Sequence, residues 1–356
     1  MKIIKSFRLV LVLFFGSVLL ASCSKSDSKL GTDKPKIVNL AIWSNFVTDE
    51  MLEKFEAQTG IHVNVSNYSS NEELLAKLQA GASGYDVIVP ADYMVFVMNQ
   101  LNLLESINKA QIANIQKLDP KFLKMYFDES NEVSLPFDWG TTGIAINRRL
   151  YKDKLKGWSD LFENKTLAGK FTMLDDVRET LGAALKRGGY RLNSIDDAEL
   201  KAAKQTLLTA KKNLKGFTSE TLTGLVNGEM AVAHAYSSDA LQARAKLNGD
   251  IDYIIPEEGC TIWVDNLAIP KGAAHLEAAH QLVNYLLSSP VQAERASKLF
   301  VAPSSLEAMN GLDVSLKQNT GLFPSEESLQ RCEMIKDIGE SLAQWDRIWT
   351  EAKASR

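Results

Sequence analysis

Carboxylates set beside aromatic rings recur along this chain at the ends of apolar runs. In Trp263-Val264-Asp265 the ring and the acid are two residues apart, so on a strand they share one face. Tyr236-Ser237-Ser238-Asp239 closes a second apolar run, and Asp175-Asp176-Val177-Arg178-Glu179 closes a third. If Asp176 caps a helix there, Glu179 falls at its third position and lies beside it. Trp43 ends the first strand of the chain, and Tyr93 follows the third, Asp86–Pro90. An ionised carboxylate fixes the end of a cation through charge-assisted hydrogen bonds. An aromatic face attracts an ammonium group by about 0.5–2 kcal/mol, depending on desolvation. A site holding both suits an organic polycation. Each residue alone also fits an ordinary duty: Asp176 as a cap, Asp175 as a loop acid, Trp263 as core. The repetition of the pairing carries the argument.

Other chemistries lack their residues. There is no Gly-x-Ser-x-Gly elbow, no Gly-x-Gly-x-x-Gly fingerprint after the first strand, and no phosphate loop around Gly169-Lys170. The four histidines, His62, His234, His275 and His280, show no zinc-like spacing. His275 and His280 read as solvated on a surface helix, and His234 as core. No metal or cofactor is called for.

The elements that must position these side chains alternate. Lys36–Trp43 reads as a strand and Thr48–Thr59 as a helix, with apolar residues at helical spacing and Gly60 as its C-cap. His62–Tyr68 alternates as a strand, and Ser70-Asn71-Glu72-Glu73 opens a helix. Asp86–Pro90 is a short buried strand, after which Asp92 caps a helix to Gln100. Pro136, Gly140 and Gly143 make Leu135–Gly143 a turn-rich crossing before a strand at Ile144–Asn147. Further strands fall at Lys170–Leu174, Glu229–Tyr236, Ile251–Ile255 and Thr261–Ile269, with helices at Val177–Lys186, Asp197–Lys212, Asp239–Lys246 and Leu276–Leu287. A helix follows Pro290, Val301–Ser305 is extended, and Glu326–Ala354 is helical. The alternation predicts an α/β fold with covered sheet faces. In such sheets ligands bind outside the carboxyl ends of the strands, where these acids and rings would converge.

The first residues set the compartment. Lys2, Lys5 and Arg8 precede the apolar run Leu9–Leu20, which is too short for a typical span and fits a secretory leader. Leu20-Ala21-Ser22-Cys23 resembles a bacterial lipobox, which implies a signal peptide over 1–22 and lipidation of Cys23. Residues 23–35 are polar and aperiodic and read as a tether. The protein is then held at a membrane surface, in the periplasm or its extracytoplasmic equivalent. An oxidising compartment permits a bond between Cys260 and Cys332, although their spacing says nothing of geometry. With 40 basic and 44 acidic residues the net charge is −4, which disfavours nucleic acid as the main partner. The composition, 45% hydrophobic and 24% charged, is that of a globular protein.

The segments Ala-Ile-Trp-Ser-Asn-Phe (41–46), Asp-Val-Ile-Val-Pro-Ala-Asp-Tyr (86–93), Leu-Pro-Phe-Asp-Trp-Gly (135–140), Asp-Asp-Val-Arg-Glu (175–179), Asn-Gly-Glu (227–229) and Trp-Val-Asp-Asn-Leu-Ala-Ile-Pro (263–270) occur in this order. Together they resemble the spermidine/putrescine-binding proteins of bacterial ABC importers, from about Lys36 onward. The resemblance implies a two-lobed periplasmic-binding-protein fold of type II, each lobe a mixed sheet flanked by helices, with the ligand cleft between lobes. One lobe would hold 36–141 and 266–304, the other 142–265 and 305–356. It implies a monomeric binding protein, not an enzyme, that captures spermidine or putrescine and delivers it to a membrane permease. Trp43, Ser44 and Phe46 match the first cleft loop, with Phe46 in the usual tyrosine place, and Tyr93 matches an aromatic wall. Asp176 and Glu179 match acids that hold amine ends in spermidine binders, and Asp239 an acid of putrescine binders. Tyr236 stands where tryptophan is usual, and Trp263 and Asp265 match the shared stacking ring and acid. Ala91, Val301 and Ile335 depart from the polar residues expected in their places. Rival readings are a binder of another small solute on the same fold and a lipid-anchored hydrolase using Asp176 and Glu179.

Overall fold

The computed structural model describes residues 36–81 and 84–355. The leader, Cys23 and the tether lie outside them. The chain opens with β1 (Lys36–Trp43), α1 (Asp49–Thr59) and β2 (Ile61–Tyr68), then α2 (Asn71–Gln79), β3 (Val87–Ile88) and α3 (Asp92–Gln100). Thr48 caps α1 through its hydroxyl, and Gly60 ends it in the left-handed region at φ 70°. β1 pairs in parallel with β2 and β3, so their carboxyl ends face one way.

Next comes β4 (Ser134–Asn147), fourteen buried residues without a break. This corrects the turn-rich crossing expected at Leu135–Gly143. Pro136 sits at a register shift rather than a turn, as proline must where it removes a ladder donor. Gly140 and Gly143 are present because neighbours fill the space of a side chain. A Cβ at 140 would lie 2.4 Å from the Trp263 ring, and one at 143 would lie 2.4 Å from the Ile254 carbonyl oxygen.

After β4 come α4 (Trp158–Glu163), β5 (Phe171–Met173), α5 (Val177–Arg187), α6 (Asp197–Lys211) and β6 (Leu214–Phe217). Then follow α7 (Thr221–Val226), β7 (Val232–Tyr236), α8 (Ser237–Lys246), β8 (Ile251–Ile254) and β9 (Thr261–Ala268). The chain continues through α9 (Leu276–Leu286), α10 (Ser289–Leu299) and β10 (Ala302–Pro303). Main strand order is β2-β1-β3-β9-β4-β7-β5-β6. The first half of β4 pairs with β9 and β10, and its second half with β7 and β8, all antiparallel. Each half of the sheet is therefore mixed, and β4 belongs to both.

Two cores meet along that strand. Leu135 and Phe137 join one with Leu40, Ile42, Phe55, Leu267 and Leu282. Ile144 and Ile146 join the other with Trp158, Phe171, Leu181, Leu200 and Trp345. On β7, Val232 packs into this second core, while Ala233 and Ala235 face Leu225, Ala240 and Ala243 of α7 and α8. Small residues there let two helices approach the sheet closely. The result is the two-lobed α/β architecture expected, with helices on both faces.

Three local readings are corrected. Asp92 is the first residue of α3 rather than its cap, and its carboxylate accepts from the Tyr93 amide at 2.7 Å. His280 is buried, its Nε2 accepting from the Asn108 amide at 3.0 Å, and His275 bonds Asp86 at 2.9 Å, so neither is merely solvated. Glu326–Ala354 is not one helix. It has a single turn at Glu326–Leu329, an extended strap, and a helix only from Leu342 to Ala354. In the strap, Glu333 exchanges backbone bonds with Cys260 and Ile262, and its carboxylate takes Lys186 and Arg191. Those partners, distant in sequence, hold the backbone out of a helix.

Candidate functional site

Strand β9 forms the floor of a cavity of about 160 Å³. Thr261, Trp263 and Asp265 alternate onto one face and all line it. The Trp263 ring lies over Gly140, which has no side chain to obstruct it, and its indole N–H has no hydrogen-bond partner among the described residues. Asp265 accepts from the Trp43 indole nitrogen at 3.3 Å.

One wall comes from the ends of β1 and β2. Trp43 and Tyr68 are register partners, with ring centroids 4.5 Å apart and tilted by 60°. The turn after β1 places Ser44 and Phe46 in the lining, with Asn45 between them in the left-handed region at φ 63°. The start of α3 adds Tyr93, whose hydroxyl donates to Glu72 at 2.9 Å.

The opposite wall is acidic. Asp176 caps α5, accepting from the amides of Arg178 and Glu179 at 2.8 and 2.9 Å. That bond fixes the first turn of α5 and turns Glu179 inward, where Thr142 and Thr261 donate to its two oxygens at 2.9 and 2.7 Å. Arg178, between these acids in sequence, is not part of the lining. It stacks on Trp345 at 4.7 Å and donates to Asn193 at 2.9 Å. Asp175 lies outside and pairs with Lys353 at 2.6 Å. From α8, Asp239 accepts the Thr221 hydroxyl, and Tyr236 at the end of β7 meets Trp263 edge-on at 6.3 Å.

All ten residues singled out in the sequence, Trp43, Ser44, Phe46, Tyr93, Asp176, Glu179, Tyr236, Asp239, Trp263 and Asp265, thus line one cavity. Of the three departures, Ala91 and Ile335 also line it, whereas Val301 packs beside Met51 and Leu299. Sequence reasoning missed Tyr68, Asp92, Glu220, Thr221 and Thr261. Thr261 had a signal, since it shares the two-residue period of Trp263 and Asp265. Tyr68 had one too, as the last residue of a strand parallel to β1.

The electrostatics are one-sided. Among the described residues, none of Asp176, Glu179, Asp239 and Asp265 belongs to an ion pair. Burial, then the neighbouring Asp176, lifts the Glu179 carboxyl to about 8, against the pull of the two threonine hydroxyls. Burial lifts Asp239 to about 6. Burial and then Asp138 hold Asp265 well above the carboxylate range. Asp138, the register partner of Asp265, is itself neutralised by buried Arg295 at 2.6 Å. Arg295 Nε also donates to the Phe46 carbonyl at 3.0 Å, tying the first cleft turn to β4. A cavity with several acids short of counter-charge favours a cation, and its aromatic faces favour an organic one.

Comparison with known proteins decides the family. The family model for bacterial extracellular solute-binding proteins matches residues 50–324. The chain belongs to that family. A curated relative of this solute-binding protein, the spermidine/putrescine-binding periplasmic protein 1 of Haemophilus influenzae, is 31% identical over 361 residues, covering 99% of this chain and 100% of the relative. The spermidine/putrescine-binding periplasmic protein of Escherichia coli is 32% identical over 317 residues, covering 88% and 90%. Among solved structures, a Listeria monocytogenes protein provisionally assigned to a spermidine/putrescine ABC transporter has a TM-score of 0.85 at 30% identity, covering 90% of this chain and 100% of that one. The TpPotD lipoprotein of Treponema pallidum has a TM-score of 0.79 at 29% identity, covering 89% and 99%. Solute-binding proteins of this family work outside the cytoplasm, and none of the helices among the described residues is long and apolar enough to cross a membrane.

Proposed function

We propose that this solute-binding protein captures a linear polyamine, spermidine or putrescine, and delivers it to the membrane permease of an ABC importer. The observation that carries this reading is the set of acids, Asp176, Glu179, Asp239 and Asp265, facing one cavity among Trp43, Tyr93, Tyr236 and Trp263, with no ion-pair partner for them among the described residues. The names of the relatives support it. Trp263 and the other rings flank the methylenes, the acids take the ammonium ends, and Ser44 and Phe46 complete the first wall. The lobes, 36–141 with 266–304 and 142–265 with 305–356, close on the ligand as periplasmic binding proteins do. The monomeric body is tethered through a lipidated Cys23, a reading supported by the leader and by the lipoprotein relative.

The hydrogen bonds within the acidic wall favour binding over hydrolysis. One Asp176 oxygen is committed to backbone amides and both Glu179 oxygens to threonines, on one helix turn. A glycosidase needs two carboxyls flanking a scissile bond. Titration calorimetry with spermidine and with putrescine tests the proposal. Saturable binding of either is expected, and folded protein that binds neither defeats it.

A further inference from the structure

We propose that Cys260 and Cys332 are joined by a disulfide in the mature extracytoplasmic protein, stapling the strap at 331–337 to the start of β9. The two sulfurs lie 3.3 Å apart. Their segments run side by side: Thr261 and Glu333 form a parallel bridge, the Glu333 amide donates to the Cys260 carbonyl at 2.9 Å, and the Ile262 amide to the Glu333 carbonyl at 3.0 Å. The cysteines each precede a member of that bridge, so they are neighbours in register. Adjacent strands are about 4.8 Å apart, inside the Cα separation of about 4.4–6.8 Å that a disulfide spans. Gly259 makes the approach possible, since a Cβ there would lie 1.9 Å from the Arg331 carbonyl oxygen. Extracytoplasmic compartments favour the oxidised pair.

The chemistry needs an organic disulfide as oxidant, such as that of a thiol oxidoreductase. Cys332 is partly exposed, and the hydrogen bond from Cys260 lowers its thiol, with the charge of Lys186 adding to the effect, whereas burial raises Cys260. The Cys332 thiolate attacks the oxidant, forming a mixed disulfide and expelling one thiolate. Cys260 then loses its proton and attacks the Cys332 sulfur, expelling the second. Two protein thiols become one disulfide, and the oxidant becomes two thiols. The staple holds both ends of one wall: Thr261, next to Cys260, donates to Glu179, and Ile335 in the strap lines the cavity.

The inference rests on the extracytoplasmic location of the family and not on the identity of the ligand, so failure of polyamine binding leaves it standing. The test is peptide mapping of the secreted protein, isolated without reductant and alkylated while denatured. A cross-linked pair of peptides carrying Cys260 and Cys332, two hydrogens lighter than the sum and separated by a phosphine reductant, is expected. Reduction should lower the melting temperature by about 5 °C or more, and Cys332→Ser should melt identically with and without reductant. Free, separately alkylated Cys260 and Cys332 overturn the proposal, as does linkage of either to Cys23.

Discussion

At Asp265 the same carboxylate does two opposed things. It lies buried opposite Asp138, so it weakens the ligand-free fold, and it is the acid a bound ammonium would pair with. Asp265→Asn should therefore raise the melting temperature of the ligand-free protein while weakening polyamine binding by about 2–5 kcal/mol, measured by thermal melts and calorimetry on one sample. A fall in both quantities would contradict this division of roles. Glu179 and Asp239 give the site a pH dependence. Their folded values of about 8 and about 6 lie above the ordinary 4.5 and 3.8. Folding thus favours the neutral acids, and the stability they contribute is full below about pH 4 and lost as pH rises to about 8. A cation favours the ionised forms, so polyamine affinity should rise between pH 5 and 8, with protons released on binding. Calorimetry in buffers of differing ionisation enthalpy reads that release directly. Thr261→Val removes a donor that favours ionised Glu179, and should move the midpoint of this rise to higher pH.

Elements deliver these side chains with narrow tolerances. Gly140 on β4 is the seat of Trp263 on β9, and any side chain there displaces the ring. Gly140→Ala should weaken binding and alter tryptophan fluorescence, whereas Gly216→Ala on β6, where a Cβ meets nothing within 4 Å, should leave both unchanged. Much of this was legible in the sequence. The alternating strands and helices, the Asp176 cap and the face shared by Trp263 and Asp265 follow from local residue patterns. The continuity of β4 was not legible, because Pro136, Gly140 and Gly143 signal turns locally and only the bulge, the Trp263 ring and Ile254 explain them. The strap was missed for the same kind of reason, since Glu333 finds Lys186, Arg191 and Cys260 only in three dimensions. The threonines that hold Glu179 come from two strands far apart in sequence, and only Thr261 had a local period to reveal it. A second tolerance lies where α10 meets β4. Arg295→Met would leave Asp138 buried without its partner, at a cost of about 3–5 kcal/mol. The loss should be smaller at pH 5 than at pH 8 in urea melts, because Asp138, already raised by burial, takes up a proton.

For the whole molecule, the cavity draws its walls from both ends of the chain's long shared strand. β1, β2 and α3 supply one side, α5, α7 and α8 the other, and β9 the floor. Neither half of the sheet is finished by consecutive sequence. β3 gains its second neighbour only from β9, through Ile88 and Ala268, and the core under β1 includes Leu267, Leu282 and Val283. During synthesis at about 5–20 residues per second, β9 follows β4 by an interval on the order of ten seconds. Throughout that interval the first sheet has an open edge and lacks the part of its core that Leu267, Ile269 and α9 supply, so such a chain should stay unfolded and threadable. A fragment ending at Asn147 should accordingly show no cooperative melt by circular dichroism, and a sharp transition would refute this. If that fragment stays unfolded, the strand order acts as a clock: folding waits until most of the chain has been made, which suits a protein destined for the far side of a membrane.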